Sequence, residues 1–196
     1  MVVVQYIEFI EVFIPLFIII NPLAIIPNYV DVFRHLPKKE AEKVSNRATL
    51  SAFFLLTIFI LIGRPFFAVI GISAPSFMIA CGLLLLYISM GMLSGDPPIT
   101  RNVQMDSSSI VPMSIPLLAG PGSIATAIVL EDTYGSLMVF LALALTMLLS
   151  KILMDKSELI EKIMGKNGLN AWTRLSALFY AAIAISLITD SIQTIW

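Results

Sequence analysis

The 196-residue sequence has few of the side chains from which catalytic and metal sites are usually built. It contains one cysteine, Cys81, and one histidine, His35, so neither an internal disulfide nor a Cys/His metal cluster can form. Cys81 is expected to be a small apolar core residue, and His35 a solvated loop residue, because Arg34, Pro37 and Lys38 surround it. Without a Ser/His/Asp or Cys/His set, the sequence indicates neither an enzyme nor a protein with a cofactor or metal.

Charged residues are also scarce. They make up 13% of the chain, whereas a soluble domain carries roughly 25%. Hydrophobic residues make up 58%, and the mean hydropathy is +0.94, so the chain is expected to lie in a lipid bilayer. A net charge of −1 gives no reason to expect a nucleic-acid partner. The first basic residue is Arg34, so the opening apolar segment lacks the positive flank of a signal peptide and is expected to be a retained span.

Long apolar runs dominate the remaining sequence. A transmembrane helix needs roughly 20 mostly apolar residues, and six stretches are of about that length. They are 6–29, 48–70, 75–94, 110–130, 134–154 and 172–194. Lipid offers no partners for backbone N–H and C=O groups, so such segments must be helices or strands of a closed barrel. The short alternating runs typical of a membrane barrel are not present, which leaves helices. The sequence therefore predicts an all-α membrane protein with six transmembrane helices.

The distribution of basic residues predicts the orientation of these helices. Eleven of the 12 lysines and arginines lie in the connections 30–47, 95–109 and 151–174. The positive-inside rule places these connections in the cytoplasm and both termini outside. The protein is thus expected to be a multi-pass component of a bacterial-type cytoplasmic (inner) membrane.

The first and fourth predicted spans share a motif of two prolines. Residues 22–27 and 116–121 both fit the pattern P-L-x-x-x-P, and the predicted orientation sends these two spans in opposite directions. The sequence therefore predicts two inverted three-helix repeats, 1–93 and 110–196, joined by a cytoplasmic linker at 94–109. Interrupted spans at matching positions of inverted repeats indicate a transporter binding site.

The prolines are expected to interrupt the backbone hydrogen bonds of their helices. Proline has no backbone N–H, so the paired prolines, with Gly120 and Gly122 nearby, predict a broken first helix in each repeat. Helix N-termini at a break favour a carboxylate and carbonyl ends favour an ammonium, so a small amino acid would suit both. The candidate substrate-binding residues are Asn21, Pro22, Ala24, Pro27, Pro116, Gly120, Pro121, Gly122, Ser123 and Thr126. In the alternative interpretation the prolines only kink their helices, and the polar side chains merely satisfy the backbone.

Further polar, small and aromatic residues lie within or beside the spans. Arg64 is expected either to reach the outer surface or to pair with Asp190. The motifs Gly91-x-x-x-Gly95 and Ala177-x-x-x-Ala181 would allow close helix contacts within a protomer or in a homo-oligomer. Ser157 is predicted to cap a short surface helix that ends at Gly165 or Gly168, and Trp172 is expected in an interfacial aromatic belt.

Three runs of the sequence resemble the MarC family of inner-membrane proteins. They are NPLAIIP at 21–27, GISAP at 71–75 and IPLLAGPGSI at 115–124. The resemblance covers almost the whole chain, and implies a lysine-exporter-like topology and transport of small neutral amino acids or related metabolites. Ala24, Met78 and Gly91 stand where the family commonly has a glycine, a basic and an acidic residue. These departures leave the substrate and the coupling ion, a proton or sodium, open.

The sequence as a whole favours a secondary transporter or exporter of small neutral amino acids or similar polar metabolites. An inorganic ion channel or exporter is one alternative, although the lack of mid-membrane carboxylates disfavours a divalent metal ion. A non-transporting membrane scaffold is another, and it would have a closed core without a polar site between spans one and four.

Overall fold

The structure is a computed structural model that describes residues 2–33, 37–94 and 118–196. These ranges are helical and contain no strand. The helices are α1 (Val2–Ile20), α2 (Pro22–Phe33), α3 (Lys38–Ile70), α4 (Ala74–Ser94), α5 (Pro121–Tyr134), α6 (Ser136–Asp155) and α7 (Ser157–Ile195). His35, most of the predicted linker and Pro116 lie outside the described residues.

Five segments of the described chain are long and apolar enough to cross a membrane. They are Gln5–Pro27, Lys38–Gly63, Ala74–Ser94, Ser136–Asp155 and Ser157–Ile195. This confirms an all-helical, multi-pass membrane protein. The predicted fourth span is described only from residue 118 onward, where α5 has 14 residues and is too short to cross alone. The arrangement of six spans as inverted repeats therefore stays a prediction.

Helix α3 is one continuous element of 33 residues. As predicted, residues 38–50 run into the second span without a break. Pro37 lies just before the helix, and Pro65 lies inside the helix without interrupting it. The helix ends at Gly71, whose φ of 71° is left-handed and whose N–H bonds to the Ala68 carbonyl.

Helix α7 contains the predicted surface helix as its first segment. Gly165, with φ 66° and ψ 168°, interrupts the helical backbone, whereas Gly168 is helical. These dihedral angles are accessible to glycine and costly for other residues. The prediction that Ser157 caps this segment is wrong: Lys156 precedes the helix, and its N-terminus has no side-chain cap.

The helices pack in pairs around a buried apolar core. Helix α4 packs along α7, α3 along α6, and α1 against both α5 and α6. The core includes Leu16, Leu56 and Leu143, each fully buried, and Cys81 is buried as predicted. Large apolar side chains such as Val69 and Leu137 cover the outer surface. An apolar exterior of this kind suits lipid contact.

Helix α4 approaches α7 closely at Gly82. A Cβ atom added there would lie 2.7 Å from Ile188 Cγ1 and 2.8 Å from the Ala184 carbonyl oxygen. A Cβ added at Gly91 would meet no atom within 4 Å. Gly91 therefore makes no close contact with the described residues of its own protomer, and its predicted alternative role, in a homo-oligomer, stays a prediction. Gly95 lies outside the described residues.

Asp190 lies near the end of α7 and accepts a hydrogen bond of 2.9 Å from the Ser186 hydroxyl. The Arg64 side chain lies outside the described part of the structure. Its pairing with Asp190 therefore stays a prediction.

Candidate functional site

Asn21 separates α1 from α2 in the middle of an otherwise apolar run. Its φ of 48° is left-handed, a conformation that asparagine adopts more readily than most residues. Pro22 follows as the first residue of α2, where its fixed φ suits a helix start. Because Pro22 has no N–H, the Ile18 carbonyl loses its usual helical donor. The interruption is therefore made by two adjacent residues.

The remaining residues of the first motif continue the chain as a helix. The Ala24 N–H donates to the Asn21 carbonyl over 3.1 Å and closes the first turn of α2. Pro27 lies inside α2 and does not interrupt it, in contrast to the prediction that both prolines open the helix. The break is thus one residue wide and is placed at Asn21.

Three side chains of α7 donate hydrogen bonds to this break. Trp172 Nε1 lies 3.1 Å and Ser176 Oγ 3.3 Å from Asn21 Oδ1. The Tyr180 hydroxyl donates to the Ile19 carbonyl over 2.6 Å. These three residues are four apart, so they lie along one face of α7. The face binds the side-chain oxygen of Asn21 and the main-chain oxygen of Ile19 at the interruption.

Sequence reasoning missed this role of α7. Trp172 is half-buried, and its indole N–H bonds to Asn21. Its place in an interfacial aromatic belt stays a prediction. Ser176 and Tyr180 had drawn no prediction. The available signal was their spacing of four along an apolar helix, a polar stripe that needs a buried partner.

The second motif lies at the start of α5. Gly120 is extended, with φ −71° and ψ 173°, and Pro121 is the first helical residue. The Ser123 hydroxyl donates to the Leu118 carbonyl over 3.2 Å, and the Ile124 N–H donates to the Gly120 carbonyl over 3.1 Å. These bonds hold the N-terminal turn of α5 inside the protein.

Gly122 brings the two motifs into contact. A Cβ atom added to Gly122 would lie 3.1 Å from Ile19 Cδ1 and 2.8 Å from Leu85 Cδ1. The bare glycine therefore lets the start of α5 pack against the end of α1, two residues before Asn21. The structure thus brings two sets of candidate residues close together. One is the interruption at Asn21 and Pro22, here called the Asn21 turn, and the other is the start of α5 at 120–123, here called the Gly122 turn.

Three buried side-chain polar atoms have no hydrogen-bond partner among the described residues. They are Asn21 Nδ2, Thr57 Oγ1 and Thr126 Oγ1. Thr126 lies one turn after Gly122 on α5, and Thr57 is on α3, which packs against α5. Buried polar atoms are nearly always paired, so these atoms mark positions where a polar ligand or water would be stabilised.

The chemistry available here is that of neutral hydrogen-bonding groups. Amides, hydroxyls and main-chain atoms surround the two turns. No group of three or more His, Cys, Asp or Glu residues occurs within the described ranges. The arrangement can hold a polar solute through hydrogen bonds and the partial positive charge of a helix N-terminus.

Residues 6–196 match the model of a family described as MarC family integral membrane protein. The chain belongs to the MarC family. The match confirms the resemblance found in the three sequence runs. In this MarC protein, the Asn21 turn and the Gly122 turn lie in two of those runs.

Curated relatives align with nearly the whole MarC chain. The UPF0056 membrane protein of Aquifex aeolicus is 28% identical over 95% of this chain and 93% of its own length. The UPF0056 membrane proteins MJ1677 of Methanocaldococcus jannaschii and YhcE of Escherichia coli are each 31% identical. Both alignments cover 94% of this chain, with 96% and 91% of the respective relative. No solved structure matches the chain.

Proposed function

We propose that this MarC protein is a secondary transporter that moves small neutral amino acids or similar polar metabolites across the cytoplasmic membrane. The observation that carries the proposal is a helix interruption at the buried Asn21, with the N-terminal turn of α5 packed close by inside an apolar core. Gly122 of α5 lies against the Ile19 side chain, two residues before Asn21. Polar backbone at such a depth is tolerated where it is bound by protein or faces a hydrated site.

The pairing of the helices supports an inverted repeat around this site. If α1 to α4 form one half and α5 to α7 the other, then α1 packs on α5, α3 on α6, and α4 on α7. Each pair joins helices that occupy equivalent places in their halves. A two-fold axis in the membrane plane would produce this pairing, and transporter sites lie near such an axis.

The proposed substrate follows from two helix ends, the N-terminus of α5 and the C-terminus of α1. The N-terminus of α5 carries partial positive charge and suits a carboxylate. The end of α1 carries carbonyl groups, including that of Ile18, which suit an ammonium group. A small zwitterion complements both ends. A proton or sodium gradient is the proposed driving force, and both termini are proposed to lie outside.

Proteoliposome flux tests the proposal. Purified protein is reconstituted, and uptake and efflux of radiolabelled glycine, alanine, serine and threonine are measured with and without a proton or sodium gradient. Pro22→Ala and Gly120→Leu are expected to abolish flux, because each alters one of the two turns. Pro15→Ala and Gly91→Leu are the matched controls. Pro15 lies within α1 away from the break, and Gly91 has open space around it.

The controls distinguish a loss of flux caused by an altered site from a loss of flux caused by misfolding. Circular dichroism and size-exclusion profiles are expected to be the same for all four variants. If no amino acid crosses the membrane under any gradient, the transport proposal is wrong. If flux persists in well-folded Pro22→Ala and Gly120→Leu proteins, the proposed site is wrong.

A further inference from the structure

The two ends of the Asn21 side-chain amide are in different surroundings. Its oxygen accepts hydrogen bonds from Trp172 Nε1 and from Ser176 Oγ. An indole N–H can only donate, so the amide atom that faces Trp172 must be the oxygen. The orientation of the amide is therefore fixed by the chemistry of its partner, and Nδ2 points away from Trp172.

Asn21 Nδ2 is consequently a buried donor without an acceptor. The residue is 4% exposed, and Nδ2 makes no hydrogen bond within the described part of the chain. The Tyr180 hydroxyl, which donates its proton to the Ile19 carbonyl, lies beside this amide but not in hydrogen-bonding geometry to Nδ2. A buried amide NH₂ group is destabilised unless something accepts its hydrogen bonds.

We infer that Asn21 Nδ2 is the group that binds a carboxylate oxygen of the transported solute, and that Trp172 and Ser176 are positioning residues that aim it. The inference rests on the proposed transport function and deepens it. The N-terminal turn of α5, the positive end of that helix, packs at Gly122 against the Ile19 side chain, two residues before Asn21. A hydrogen-bond donor and a helix N-terminus together favour an anionic oxygen over a neutral one.

The chain itself supplies an optical reporter for this site. It has two tryptophans, and Trp196 is 99% exposed at the end of α7. Trp196→Phe leaves Trp172 as the only indole, and its N–H is bonded to the amide that is proposed to bind the solute. Titration of this variant in detergent with glycine, L-alanine, L-serine or L-threonine is expected to change the emission saturably. Ethylamine, which has no carboxylate, is expected to give no response.

Two substitutions of Asn21 then test the donor. Asn21→Asp keeps an oxygen for Trp172 and Ser176 but removes the NH₂ group, and aspartate tolerates a positive φ. A buried carboxyl can hold a proton and donate it, so Asn21→Gly serves as a second variant that keeps the left-handed backbone. In the Trp196→Phe background, each is expected to raise the half-saturating amino acid concentration roughly tenfold or more, as for a lost hydrogen bond to a charged group.

Ser176→Ala tests the positioning role. The amide then keeps one of its two donors, so it is held less firmly. In flux, the half-saturating L-alanine concentration is expected to rise roughly threefold with the maximal rate unchanged. Ser150→Ala is the matched control: Ser150 is also buried, but its hydroxyl bonds to the Thr146 carbonyl within α6. A purely structural effect would lower the maximal rate and leave the half-saturating concentration unchanged.

The outcomes separate this inference from the transport proposal. Binding that needs Asn21 but produces no flux would support the carboxylate assignment and reject transport. Flux or binding that is unchanged in both Asn21 variants, or an equal response to ethylamine, would overturn the assignment and leave transport standing. If none of the four amino acids alters Trp172 emission, the assignment is also overturned.

Discussion

A single methyl group at Gly82 should disrupt the packing of α4 on α7. Carbon atoms in contact lie about 3.5–4.0 Å apart. A Cβ at Gly82 would lie 2.7 Å from Ile188 Cγ1 and 2.8 Å from the Ala184 carbonyl oxygen. The Ile188 side chain can rotate, but the Ala184 oxygen belongs to the helix backbone. The two helices must therefore move apart to accommodate Gly82→Ala.

The magnitude follows from two opposing terms. Overpacking of this kind typically costs about 1–3 kcal/mol. Alanine stabilises a helix interior by about 1 kcal/mol relative to glycine, which offsets part of the loss. Gly91→Ala, on the same helix and with no atom within 4 Å of the new methyl group, receives only the favourable term. The two variants are therefore expected to differ in unfolding free energy by about 1–3 kcal/mol, with Gly82→Ala the less stable.

Equilibrium unfolding in mixed detergent micelles, followed by circular dichroism, measures this difference. Because both substitutions are Gly→Ala in α4, helix propensity cancels and the remainder reports the contact with α7. Equal unfolding free energies for the two variants would show that α4 and α7 do not approach each other at Gly82. The reasoning from the Gly82 geometry would then be refuted.

Two further predictions concern residues with positive φ. Asn21→Ala should be less stable than Asn21→Gly by about 1–2 kcal/mol, because only glycine is unstrained at φ 48°; equal melting temperatures would contradict the left-handed turn. Gly165→Ala should lose about 1–3 kcal/mol through backbone strain alone, since no atom lies within 4 Å of the added Cβ. Gly91→Ala, in helical backbone and with no atom within 4 Å of its added Cβ, is the control, and a Gly165 variant as stable as this control would rule out the kink.

Local chemistry allowed much of the fold to be predicted. The absence of an N–H at Pro22 and Pro121 is visible in the sequence, and each residue begins a helix in the structure. The lack of a breaker after Lys38 correctly predicted one long helix through the second span. Such features depend on a residue and its near neighbours, so no tertiary information is needed.

The features that sequence reasoning missed depend on contacts between distant residues. Trp172 and Ser176 bind Asn21 across about 150 residues of chain, and no local pattern identifies that partner. The G-x-x-x-G spacing at Gly91 likewise does not identify the residue of α4 that meets α7. A small residue permits close packing only on the face that meets another helix, and in α4 that face contains Gly82. The direction of each helix face is set by tertiary packing.

The hydrogen bonds at the Asn21 turn also bear on which solutes the site can favour. The three α7 side chains at this turn, Trp172, Ser176 and Tyr180, all donate. They bind the Asn21 amide oxygen and the Ile19 carbonyl oxygen. An inorganic cation needs oxygen ligands, and α7 already occupies these two. The side-chain group left over at Asn21 is a donor, Nδ2, and it is buried. A solute that brings its own anionic oxygen is therefore better matched to this turn than a bare cation.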